Sequence, residues 1–209
     1  VLELCDGPEL FGVLQRQGKG FSELSIRIYA ACVASALSAL HDRGWIYRDI
    51  KTENLVFASS GLLKLVDLGL ARRLPHGGRC FTVCGSSEYM APEVIAQSNG
   101  YGFAADWWSY GCLLYEMRYT HTPWVLDDDA TLDDSLSENS IAKHIADWER
   151  PMAYPAGGPP ASPRFDSLLR GLLTRRPHAR LGGRSTGADS VRAHPFFARA
   201  AEADAAGGG

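Results

Sequence analysis

The chain has 209 residues and a mass of 22.7 kDa, with 45% apolar and 22% charged side chains. That mixture is one of an ordinary globular protein with room for a sizeable core, and it excludes a disordered chain, a collagen-like chain and a disulfide-stapled miniprotein. Lys plus Arg is 21 against 24 for Asp plus Glu, a net charge of −3, so the basic excess expected of a nucleic-acid binder is missing. The few lysines are Lys19, Lys51, Lys64 and Lys143, against seventeen arginines.

Five scattered cysteines (Cys5, Cys32, Cys80, Cys84, Cys112) form no CxxC pair, which argues against a disulfide framework and against zinc. Reduced thiols of a cytoplasmic protein are the plain reading. Glu3 and Asp6 speak against a signal peptide, and no stretch reads as the ~20 apolar residues of a membrane span.

In chain order, Val1, Leu2 and Leu4 read as the tail of a strand that breaks at Asp6-Gly7-Pro8. Apolar residues at Ile26, Tyr29, Ala30, Val33, Leu37 and Leu40 predict a helix over 25–40, capped by Ser22 or Ser25 and ended by His41-Asp42-Arg43-Gly44. Asn54–Phe57 and Leu62–Val66 predict a hairpin. Residues 70–90 have the profile of a surface loop. Asp106–Met117 is apolar nearly all round and reads as a buried helix, and Phe165, Leu168, Leu169, Leu172 and Leu173 mark another. The acidic stretch Asp127–Glu138 is expected to be exposed, and the Ala/Gly tail 199–209 disordered. The fold class is α+β, mainly helical, with small hairpins.

Tyr47-Arg48-Asp49-Ile50-Lys51-Thr52-Glu53-Asn54 places an Asp, a Lys and an Asn in one loop before a strand, and Asp67-Leu68-Gly69 follows the next strand. Asn54 and Asp67, oxygen ligands on neighbouring strand ends, can hold Mg²⁺, a hard cation that prefers oxygen. Asp49 would then take or orient a hydroxyl proton, and Lys51 would neutralise charge on a phosphoryl group in flight. Each alone also reads as a polar loop residue.

Taken with Ala91-Pro92-Glu93, these motifs occur in the order of the protein-kinase signature. Asp106-Trp107-Trp108-Ser109-Tyr110-Gly111, Arg180-Leu181-Gly182 and His194-Pro195-Phe196-Phe197 also follow that family's order, so the resemblance runs over residues 1–198. Tyr47 in the usual His position, and Phe81-Thr82-Val83-Cys84-Gly85-Ser86 before Glu88-Tyr89, resemble the AGC serine/threonine kinases, most of all the cyclic-nucleotide-dependent ones.

The resemblance implies a protein-kinase-like fold in which the chain is the C-terminal (large) lobe, with its activation segment at 67–93 and no N-terminal lobe. It implies ATP and Mg²⁺ as cofactors, with Glu3 and Cys5 offering backbone bonds to adenine, Glu9 binding ribose and Val56 in the adenine floor. It implies that Ser86 sits near the acceptor hydroxyl, that an upstream kinase phosphorylates Thr82, that Arg48 pairs with that phosphate, and that Glu93 pairs with a buried Arg180. Protein substrates with Arg before Ser or Thr would be read by Glu9, Glu53 and Glu116. A carboxylate in a Trp/Leu-rich helix is costly unless paired, so Glu116 asks for a cation, from the substrate or from Arg118 or Arg150. The chain departs from the family pattern at Leu68, at Thr52 and at Ser87, the last two standing where Pro is usual. A Gly-rich loop and its partner lysine are missing, since Gly18-Lys19-Gly20 reads as a plain loop. The expected activity is that of a Ser/Thr protein kinase, poorly active as this piece alone. A silent kinase-like binding module or truncated gene product is the alternative.

Overall fold

A computed structural model of the chain describes residues 5–75, 77–97, 99–124, 138–147, 152, 154–183 and 187–198. Glu3, the first strand tail, Arg150, the tail and almost all of the acidic stretch lie outside them, apart from Glu138 at the start of a helix.

Helix α1 (Leu10–Gln17) buries Leu10 and Leu14 and stops at Gly18, whose φ of 62° is the left-handed cap that favours glycine. The sequence reading missed this helix. Helix α2 (Glu23–His41) starts where Ser22 accepts a hydrogen bond from the Ser25 N–H at 3.2 Å. It buries Ile26, Ala30, Val33, Ala34 and Leu37, the face its periodicity predicts. By length and composition alone α2, with a mean hydropathy of 1.4, is apolar enough to cross a membrane, a test that a buried core helix also passes. Its buried face packs on α4, α7 and β3 as a core helix.

The hairpin is present as β2 (Leu55–Phe57) and β3 (Leu63–Leu65), antiparallel, with Leu55 opposite Leu65 and Phe57 opposite Leu63. A second two-stranded sheet joins β1 (Trp45–Ile46) to β4 (Arg72–Arg73). The stretch 70–90 is therefore more than a surface loop. It holds β4, buries Leu74, Cys80 and Tyr89, and ends in a 3-10 turn at Ser87–Tyr89.

Helix α3 (Pro92–Ala96) leads to α4 (Ala104–Tyr119), the axis of the core. Trp107, Trp108, Leu113, Leu114 and Met117 of α4 are all inaccessible to solvent. Trp108 stacks on Trp124 with centroids 5.5 Å apart. Gly111 lets α6 (Pro163–Leu172) approach, since a Cβ there would sit 3.0 Å from Leu172 Cβ. Helices α5 (Glu138–Ala146) and α7 (Gly187–Arg192) complete the described elements. Gly20 touches the end of α4 so closely that a Cβ would meet the Arg118 carbonyl oxygen at 1.7 Å. The result is a helical core against which two small two-stranded sheets pack through α1 and α2.

Candidate active site

The hairpin fixes two of the candidate residues. Val66 N–H donates to the Asn54 carbonyl at 3.0 Å, continuing the ladder, so Asn54 and Asp67 leave the same end of β2 and β3. Asn54 is buried and Asp67 is exposed. Asp67 has φ 56° and Arg48 has φ 73°, both in the left-handed region. Asp67 Oδ1 accepts the Gly69 N–H at 2.8 Å, which turns the chain just beyond it.

The loop 47–54 is held from below by one buried carboxylate. Asp106, in the first turn of α4, accepts the N–H groups of Tyr47 at 2.9 Å and Arg48 at 2.8 Å, and meets His41 Nε2 at 2.7 Å. From above, the Tyr47 hydroxyl donates to the Val66 carbonyl at 2.5 Å, tying the loop to the start of the Asp67 turn. Burial, then the charges of Asp49 and Asp67, push the Tyr47 phenol well above its usual range, so it stays a donor. Sequence reasoning quoted Asp106 and Tyr47 only as pattern letters. Their roles depend on partners 59 and 19 residues away.

Asp49 is gripped on both carboxylate oxygens. Asn54 Nδ2 donates to Asp49 Oδ2 and to the Asp49 carbonyl, both at 2.8 Å. Lys51 Nζ lies 3.2 Å from Oδ2 and donates to Ser86 Oγ at 3.2 Å, and Ser86 Oγ reaches Asp49 Oδ1 at 3.4 Å. The structure thus brings Asp49, Lys51, Asn54 and Ser86 together. With its Nδ2 committed to Asp49, the Asn54 amide keeps its carbonyl oxygen as the acceptor. That oxygen and the exposed Asp67 carboxylate are both oxygen donors, the ligand type that a hard cation such as Mg²⁺ prefers.

Of the residues assigned to adenine and ribose, Cys5, Glu9 and Val56 are described. Cys5 is half-buried, Glu9 is exposed just before α1, and Val56 is nearly buried and bridges antiparallel to Glu9. The Phe57 N–H to Pro8 carbonyl bond of 3.0 Å clamps this segment onto β2.

Glu116 is buried on α4, and its partners are hydroxyls. Thr52 Oγ1 donates to Oε1 at 3.3 Å and the Tyr89 hydroxyl donates to Oε2 in a very short bond. Arg118, two residues on, faces elsewhere and donates to the carbonyls of Phe21 and Pro160, each at 3.2 Å. Burial raises the Glu116 carboxyl to about 7, with Glu53 and Glu88 pushing the same way and the two hydroxyls opposing. Glu53 is exposed and accepts from Thr52 Oγ1 at 3.2 Å.

Thr82 is exposed, and its carbonyl accepts the Tyr101 hydroxyl at 2.6 Å. The same hydroxyl accepts from Arg48 Nη1 at 3.5 Å, so Arg48 and Thr82 meet at Tyr101. Arg48 Nε is anchored on the Leu70 carbonyl at 2.7 Å. Glu93 and Arg180 form an ion pair through both terminal guanidinium nitrogens.

Comparison with known proteins fits this geometry. The family described as "Protein kinase domain" matches residues 1–197. Protein kinase 2 of Dictyostelium discoideum is 39% identical over 199 residues, 94% of this chain and 37% of that protein. Ribosomal protein S6 kinase alpha-4 of Homo sapiens is 37% identical over 199 residues, 94% of this chain and 24% of that protein. cGMP-dependent protein kinase 2 of Rattus norvegicus is 36% identical over 197 residues, again 94% of this chain and 24% of that protein. A cGMP-dependent enzyme is thus among the relatives, as the resemblance implied, beside other AGC kinases of similar identity. The chain spans between about a quarter and two fifths of these relatives' length. The chain belongs to the protein kinase family, and its relatives are serine/threonine kinases of the AGC group.

Proposed function

We propose that this chain is the large lobe of a serine/threonine protein kinase that transfers the γ-phosphoryl group of ATP to Ser or Thr in basic sequences. The observation that carries the reading is the Asp49 carboxylate, fixed on both oxygens by Asn54, Lys51 and Ser86. A carboxylate aimed this way accepts the proton of an acceptor hydroxyl as it attacks phosphorus. Lys51, between Asp49 and Ser86, places a cation where negative charge grows on the moving phosphoryl group. Asn54 and Asp67 are the residues to hold Mg²⁺, which supplies charge neutralisation on the phosphates when bound. Cys5, Glu9 and Val56 are assigned to the adenine and ribose side, where Val56 bridges to Glu9, and Glu3 joins them on the resemblance alone. The exposed Glu9 and Glu53, with the buried Glu116, favour Arg ahead of the acceptor, because carboxylate–guanidinium bonds are two-pronged and strong. Cyclic-nucleotide control belongs to the same proposal, as does a cytoplasmic location, which the five free thiols support.

The alternative is a kinase-like module that binds without catalysing. The presence of Asp49, Lys51, Asn54 and Asp67 together, three of them hydrogen-bonded as a unit, favours the enzyme. Joined to a kinase small lobe, the chain is expected to phosphorylate an Arg-Arg-x-Ser peptide. Asp49→Asn should cut that rate by about 10² to 10⁴ while ATP still binds. Near-normal turnover in Asp49→Asn overturns the assignment.

A further inference from the structure

Thr52 stands at the first position of the 3-10 turn Thr52–Asn54 and is inaccessible to solvent. Proline suits a first helical position, because its missing N–H is needed by no other residue there. What threonine adds is a hydroxyl. That hydroxyl lies between two acids of the substrate-facing set, 3.2 Å from Glu53 Oε2 and 3.3 Å from Glu116 Oε1. Its single hydrogen can serve only one of them at a time.

We infer that Thr52 is a positioning residue for substrate selection: its hydroxyl, shared in turn by Glu53 and Glu116, orients the two acids and, when it donates to Glu116, keeps that carboxylate ready to accept a guanidinium. The inference rests on the basic-substrate reading proposed above.

The groups around Glu116 make the point physically. The turn 52–54 presents Thr52 and Glu53 to it. The turn 87–89 presents Tyr89 and Glu88, and Cys112 lies one turn back on α4. Helix α5, which packs on the 87–89 turn, carries Lys143 and His144. Glu88 itself accepts the Thr122 hydroxyl at 3.2 Å. Three carboxylates thus meet three hydroxyls, and a proton competes with an incoming guanidinium for Glu116. Each hydroxyl that donates to Glu116 favours its charged form, the one that a guanidinium needs. Tyr89 supplies one such bond from the core, and Thr52 supplies the other from the loop that carries Asp49. Thr52 also reaches the exposed acid, so it sets the spacing at which one arginine, or a pair, can touch both.

The test uses the 209-residue chain and reads binding, so turnover is not required. A fluorescent Arg-Arg-x-Ser peptide is titrated by anisotropy between pH 6 and 8. The same peptide with both arginines replaced by citrulline, which keeps the shape and loses the charge, serves as reference. In the unmodified chain the preference for arginine is expected to grow with pH. Thr52→Val keeps the shape of the side chain and is expected to weaken that preference at pH 7 by about fivefold, and to move its midpoint up by about one unit. Thr52→Ser restores the hydroxyl and is expected to behave as the unmodified chain does. ¹³C titration of the Glu116 carboxyl gives the same shift without any peptide. A Thr52→Val profile that overlays the unmodified one overturns the role of Thr52 and leaves the substrate reading standing. No arginine preference in the unmodified chain at any pH overturns both.

Discussion

Arg180 reaches 87 positions back along the chain to hold Glu93, Nη1 to Oε1 at 2.7 Å and Nη2 to Oε2 at 2.8 Å. Arg180 is inaccessible to solvent, lies over the Trp108 ring, and also donates to the carbonyls of Ala104, Thr174 and Arg175. One guanidinium therefore ties the start of α3 to the start of α4 and to the loop after α6.

Arg180→Met should cost about 3–5 kcal/mol, measured by urea unfolding, because it strands a partly buried carboxylate. Adding Glu93→Gln should recover only part of the loss, since three carbonyls remain without their donor. Full recovery in the double variant would show that the ion pair, and not the carbonyl contacts, carries the stability.

Glu116 gives the fold a pH dependence whose sign follows from its raised carboxyl. With about 7 in the folded chain and 4.5 as its ordinary value, the folded state holds the extra proton between those limits. Its contribution to stability is therefore unfavourable above pH 7 and absent below about pH 4.5. Glu116→Gln should remove that loss, worth on the order of 3 kcal/mol at pH 8. The difference in urea midpoint between Glu116→Gln and the unmodified chain should widen from pH 5 to about pH 7 and level off by pH 8. A constant difference would contradict the protonation described for Glu116.

Phosphorylation of Thr82 should stiffen the segment around it. The phosphate adds a charge of about −1.5 to −2 and strong acceptors beside a residue that already shares Tyr101 with Arg48. We expect mass spectrometry of active protein to find Thr82 modified. The modified protein should melt higher, and Arg48→Ala should erase that gain. An equal gain in Arg48→Ala would assign the phosphate to another cation.

How far the sequence alone reached depended on distance along the chain. The α2 and α4 helices were legible because many apolar residues repeat in them, and Asp49, Lys51 and Asn54 because they sit within one loop. Helix α1 was not, since it offers only eight residues and two fully buried leucines. The β1–β4 sheet escaped for the same reason, as two residues carry no periodicity and Trp45 finds Arg73 only in three dimensions. The carboxylate of Glu116 announced itself by its apolar neighbours, but its hydroxyl partners come from 27 and 64 residues away. Arg118 looked suitable in sequence, yet residues two apart do not share a helix face.

The left-handed backbone at Asp67 sets what the fold wants against what the chemistry needs. At φ 56° the local chain would accept glycine more readily than any side chain. Asp67→Gly gives up only one exposed bond, to the Gly69 N–H, in exchange for that relief. Its unfolding free energy should therefore stay within about 1 kcal/mol of the unmodified chain, while the carboxylate assigned to the proposed metal is gone. A molecule that needed only to fold would lose little by that exchange. The aspartate is thus a position where thermal stability and the proposed phosphoryl transfer can be separated by a single substitution, and a melt alone would never reveal that the proposed activity had been removed.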